Sequence, residues 1–258
     1  MLTRHLASAY FKTYFYATVR NSPGLFFTLI FPPLLLLLAA AGWDHQDHLS
    51  LFVVFFNYGV QTVAFMLLGM GVSQERHTEW AHYLRTLPVG PTPMILGRLL
   101  HTGALGVINL VTTAFVGLVL LHVSIPLGGF CGLVVVALLG AIPMAMMGLA
   151  IGYRAGPETA RSVFTLCNLL LLFGAFALPG HGVWFVIRAC VPTYQWYALS
   201  HTVIHPQTGS VWQPLAVLTF YSVIFLYLFV RSYNQTRQYR KGKSHAPRST
   251  QHHALSRV

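Results

Sequence analysis

Metal binding, nucleotide hydrolysis and covalent catalysis each need particular side chains at particular spacings, and this chain offers few of them. It has 258 residues, with 13 histidines, three cysteines and five carboxylates. His77 and His82 stand five apart, and no H-E-x-x-H occurs, so a bound metal is not expected. His45 with His48, and His252 with His253, fall in polar loop and tail. A phosphate-binding loop requires a lysine after its glycines, yet there is no lysine between Lys12 and Lys241. No G-x-S-x-G is present, Ser210 sits in a loop, and the last apolar run lacks histidine, so intramembrane proteolysis has no nucleophile and base to work with. Cys131 and Cys167 lie in apolar runs and read as small packing residues. Of the polar groups inside apolar runs, Asn57, Gln61, His101, Asn109 and Asn168 remain. Hydrogen-bonding chemistry is all they can do: they either line a polar path or bond between helices.

The elements that hold these residues follow from composition. Hydrophobic residues make up 55% of the chain, charged residues 8%, and mean hydropathy is +0.61. A soluble domain carries about 25% charged residues, so this surface is made for lipid. Six apolar runs are read, at Leu25–Ala41, Leu51–Val72, Leu99–Leu121, Gly128–Ile151, Val163–Leu178 and Leu215–Val230. The last two are short for a span, and five spans compete with six. Ala39, Ala40 and Ala41 resemble a signal-peptidase site, but Pro32 and Pro33 interrupt the run and the region before it is long. The expected fold is an all-α polytopic membrane protein with six transmembrane helices.

Placing the N-terminus in the cytoplasm puts every Lys and Arg except Arg188 on the inner side, which matches the positive-inside rule. Both termini are then cytoplasmic. No Asp, Glu, Lys or Arg lies within any run. Ion-coupled carriers usually keep an ionisable group in the membrane, so the driving energy for any transport is expected from elsewhere. The longest segment outside the runs is far below domain size, so an ATPase has to be another polypeptide.

The segment 73–98 between the second and third runs is the most informative. Trp80, Leu84 and Leu87 fall at i, i+4 and i+7, on one face of a short helix that Pro88 ends. Periodicity leaves two readings level: an interfacial connector or a docking helix for a cytoplasmic partner. Glu75-Arg76, then Leu84-Arg85-Thr86-Leu87-Pro88-Val89, then Ile95-Leu96-Gly97-Arg98, resembles the cytoplasmic signature of type-2 ABC transporter permeases, the membrane subunits of many drug, polysaccharide and lipid exporters. Three further stretches resemble that family in the same order. Arg20-Asn21-Ser22-Pro23 leads into Pro32-Pro33. An amphipathic segment from Leu6 to Val19 carries Tyr10, Phe11, Tyr14 and Phe15. Pro192 is followed by Tyr197, Ala198 and Leu199. Two positions depart from the pattern: Glu79 where the family often has glycine, and His201 where it often has a basic residue.

The resemblance implies one permease domain over 1–258, with an interfacial connecting helix over 1–20 and a cytoplasmic coupling helix within 73–98. It also implies a re-entrant outer segment over 179–214 and a basic cytoplasmic tail over 231–258. It implies two permease chains, identical or paralogous, above two ATPase subunits that bind ATP and Mg, in a bacterial inner membrane. This chain would carry no cofactor and no catalytic residue. Glu75, Arg76, Glu79, Trp80, Leu84 and Arg85, with a second contact at Arg154, Glu158 and Arg161, would couple to the ATPase. Asn57, Gln61, His101, Asn109 and Asn168 are the candidate substrate path. A hydrophobic or amphipathic cargo suits the uncharged spans. The tail suits anionic lipid or fixes topology, and nucleic acid is not an expected partner. A self-contained carrier or channel is the alternative. In the outer segment, Val183–Val191 is too short to span, and Trp184, Trp196 and Tyr197 read as interface anchors.

Overall fold

A computed structural model describes residues 2–20, 25–42, 48–76, 78, 92–176, 182–207 and 209–244. All regular structure among these residues is helical. Helix α1 is Leu2–Arg20. A π-helical turn, Phe26–Ile30, leads into α2, Phe31–Ala40. Helix α3 is the continuous stretch His48–Glu75, π-helical over Thr62–Leu67. Helix α4, Thr92–Phe115, continues as a π-helical end, Val116–Leu120. Then follow α5 (Leu127–Gly152), α6 (Pro157–Phe176), α7 (Val183–Cys190), α8 (Pro192–Ile204) and α9 (Trp212–Ser244).

Four helices among the described residues are long and apolar enough to cross a membrane: His48–Glu75, Leu96–Leu120, Leu127–Gly152 and Trp212–Ser232. Of the other two apolar runs, the first folds as the shorter apolar helix Thr28–Ala40. The fifth lies in α6, whose opening turns carry Glu158 and Arg161 and so shorten its apolar length. Exposed apolar faces confirm the membrane character. Val107, Val111 and Phe115 of α4, Val135, Leu138 and Ile142 of α5, and Phe220, Val223 and Tyr227 of α9 form outward stripes. A water-soluble monomer rarely exposes so much contiguous apolar surface.

The stretch α3 is the hub, because 89% of its apolar window is buried, against 11% for α9. Its Phe52, Phe56 and Phe65 are fully enclosed. Small residues set how closely α5 can approach it. A Cβ on Gly148 would overlap the Phe65 carbonyl, one on Gly152 the Gly69 carbonyl, and one on Gly69 the Gly148 carbonyl. Gly148 and Gly152 therefore act as the small-xxx-small pair their spacing predicts, bringing two backbones into contact.

Helix α1 packs along α4 on a face built from Ala7, Tyr10, Phe11, Tyr14 and Thr18, while Lys12, Thr13, Tyr16 and Arg20 stay exposed. Gly97 of α4 admits this contact, since a Cβ there would strike Tyr10 and the Ala7 carbonyl.

Within the segment expected to face outward, the described residues form two helices, α7 and α8. All apolar side chains of α7 from Val183 to Ile187 are exposed. In contrast α8 packs against α5, α6 and α9. This corrects the anchor reading for Trp196. Its indole is 1% exposed, fits the space that Gly140 leaves, and donates to the Val136 carbonyl at 3.0 Å. Trp184 stays exposed.

Candidate functional site

Two groups of polar residues stand out, one at an end of the bundle and one inside it. At the end of α3, the Glu75 carboxylate accepts a hydrogen bond from the Tyr14 hydroxyl at 2.7 Å and pairs with the Arg98 guanidinium. Arg98 in turn lies over the Tyr14 ring, 5.2 Å from its centroid. One carboxylate therefore ties together α1, α3 and α4. Burial raises the Tyr14 phenol above its ordinary pKa, although Arg98 pulls the other way, so its O–H remains a donor to Glu75.

The neighbouring Arg76 turns to the opposite side. It donates to the carbonyls of Tyr153 and, at 3.2 Å, Ala155, while Ser73 also donates to Ala155 at 2.8 Å. The start of the 73–98 segment thus holds the turn between α5 and α6. Arg154, Glu158 and Arg161 are exposed around that turn. The two regions expected to meet an ATPase are adjacent here. Glu79, Trp80, Leu84 and Arg85 lie outside the described residues.

The interior group is a seam centred on α3. Asn57 and Gln61 occupy one helical row, with Tyr58 and Thr62 in the next. Asn57 Nδ2 donates to Ser200 Oγ of α8 at 2.9 Å. Gln61 Nε2 donates to Asn168 Oδ1 of α6 at 3.0 Å. Asn168 Nδ2 donates to the Tyr58 hydroxyl at 3.0 Å and to Thr62 Oγ1 at 3.3 Å. Thr62 itself donates to the Tyr58 carbonyl where the π-helical turn begins. Such turns recur at functional positions in helices.

The five candidate substrate-path residues do not form a single group. Asn57, Gln61 and Asn168 meet in the seam. Asn109 donates to the Thr28 carbonyl at 2.7 Å, inside the π-helical turn before α2, where a side-chain donor can satisfy irregular backbone. His101 lies 3.0 Å from Thr18 Oγ1 and beside Tyr14, with the α1–α4 contact. Sequence reasoning did not place Tyr14, Arg98, Tyr58 and Ser200 in either site. Arg98 belonged to the quoted signature and Tyr14 to the amphipathic face, so both were visible without being linked.

Compared with known protein families, with curated proteins and with solved structures, the chain matches none. The functional reading therefore rests on the residues and their arrangement.

Proposed function

We propose that this chain is the membrane permease subunit of a type-2 ABC exporter. It moves a hydrophobic or amphipathic cargo with ATP hydrolysed, in the presence of Mg, by a separate ATPase. The observation that carries the reading is the double tether at Glu75 and Arg76. One side ties the 73–98 segment to α1 and α4, and the other ties it to the turn at Tyr153–Ala155. A partner pressing on residues 79–87 would act directly on three bundle elements, which a simple connector has no need to do. In this reading α1 is the interfacial helix, both termini are cytoplasmic in a bacterial inner membrane, and α2 and α6 complete six spans. A second permease chain, identical or paralogous, closes the translocation path, and α7 with α8 is the re-entrant outer element.

The test is a mild-detergent pull-down of the tagged protein from its native host, with mass spectrometry and an ATPase assay. A stoichiometric P-loop ATPase supports the reading. Intact protein recovered repeatedly without one points to a self-contained carrier or channel. Replacing both Trp80 and Leu84 with alanine should abolish ATP-dependent transport while leaving insertion intact, and unchanged transport would remove the docking role.

A further inference from the structure

Helix α7 carries a cation to a depth at which the apolar runs hold none. Gln195 Nε2 donates to the Ala189 carbonyl at 2.6 Å and closes the elbow between α7 and α8. Four neighbouring helices fix the level of that elbow. Thr193 donates to the Leu171 carbonyl of α6 at 2.6 Å. It also borders the same crevice as Gln61, the midpoint of the 28-residue stretch α3. Trp196 donates to the carbonyl of Val136, nine residues into α5, and Tyr221, nine residues into α9, donates to the Cys190 carbonyl. Nine helical residues rise about 13 Å, close to half of a hydrocarbon core about 30 Å thick. Arg188 shares this level, since its guanidinium lies over the Tyr194 ring, 4.2 Å from the centroid. Its Nε is enclosed without a hydrogen-bond partner, yet the residue is only half-buried, so the terminal nitrogens of the fork stay open. No carboxylate among the described residues pairs with it. Glu75 is taken by Arg98, and Glu158 lies in the first turn of α6, far along that helix from Leu171. A cation at membrane depth without a counter-ion is unfavourable, and such groups mark binding sites and paths. One turn before Arg188, Trp184 is exposed, as are Phe185 and Ile187. The apolar body of a ligand therefore needs no cavity, because this bare face is open to it.

We infer that Arg188 is a mid-membrane site for the headgroup of an anionic phospholipid. The guanidinium fork matches a phosphodiester in geometry, and one cation neutralises one such anion. The acyl chains lie along the exposed face of α7. At this depth a phosphate would otherwise meet only hydrocarbon, and Arg188 gives it a partner. The site needs no ATPase, so it holds whether or not the chain is a permease.

The protein in maltoside micelles, which contain no phosphate, is given two photoreactive lipids with the same acyl chains and a diazirine beside the glycerol. One is a phosphatidylglycerol and the other the uncharged diacylglycerol. Crosslinks are mapped by mass spectrometry. Residues 183–197 should be labelled about tenfold more by the phosphatidylglycerol, the worth of one charge-assisted hydrogen bond. Arg188→Gln should remove that preference there and leave labelling of the basic segments 1–20 and 231–258 unchanged. The wild-type comparison of the two lipids stands even if that variant fails to fold. Equal labelling of 183–197 by both lipids, a preference for the anion only at the basic segments, or a preference that survives Arg188→Gln each overturns the site. None of these outcomes bears on whether an ATPase co-purifies, so the two readings fail separately.

Discussion

Glu75 is the residue on which most depends, because its carboxylate is the shared partner of Tyr14 and Arg98 and is only 16% exposed. Removing one member of a largely buried ion pair strands the other. Glu75→Ala is expected to cost about 3 kcal/mol, read as a lowered melting temperature in detergent. Adding Arg98→Met should recover most of that loss, because the pair repays its own desolvation poorly. In the seam, Asn168 makes contacts with Gln61, Tyr58 and Thr62 at once. Asn168→Leu should cost about 1–2 kcal/mol in a denaturant titration, near the upper range for hydrogen bonds between membrane helices. The sequence located Asn57, Gln61 and Asn168 in apolar runs, but it left open whether they face a path or one another. Pairing them requires the rotation of α6 and α8 about α3, which no local pattern encodes.

Among the elements, the approach of α3 to α5 is set by backbone rather than by side chains. Gly152→Val would drive its side chain into the Gly69 carbonyl, and separating the helices should cost about 2–3 kcal/mol. Gly103→Ala is the matched control. A Cβ there meets nothing within 4 Å, so thermal stability should be unchanged or slightly raised. A G-x-x-x-G spacing was legible in the sequence, and its role as a packing seam holds. The partner carbonyls at Phe65 and Gly69 were not legible, since they belong to a helix some eighty residues earlier. Helices α7 and α8 teach the reverse lesson. Their aromatic residues looked alike as a string, yet Trp184 is exposed and Trp196 is enclosed, because only α8 has Gly140 opposite it.

At the scale of the whole molecule, acidity should loosen the end of the bundle where α8 finishes. His201 sits beside His205, and burial followed by the charge of that neighbour lowers its pKa below 6.5. Between the two pKa values the unfolded chain binds more protons than the folded one. Stability is therefore full above about pH 6.5 and falls as pH drops towards the folded value. Melting curves at pH 7.5 and 5.5 should differ less in His201→Phe than in the wild type. Lipid as solvent, an all-helical build and the absence of charge inside the apolar runs were all determined by the amino-acid sequence alone. Each follows from composition or from spacing within one helix, and neither depends on neighbours distant in the chain. The tertiary structure decided which helix is the hub, which glycines touch backbone, and that Glu75 answers to Tyr14 and Arg98. Those are contacts between residues 23 to 83 positions apart, and they exist only once several helices have chosen a common rotation and depth. Apolar surface drives that choice without direction, while buried polar groups, unable to stay unpaired, select one arrangement from the many that bury the same area.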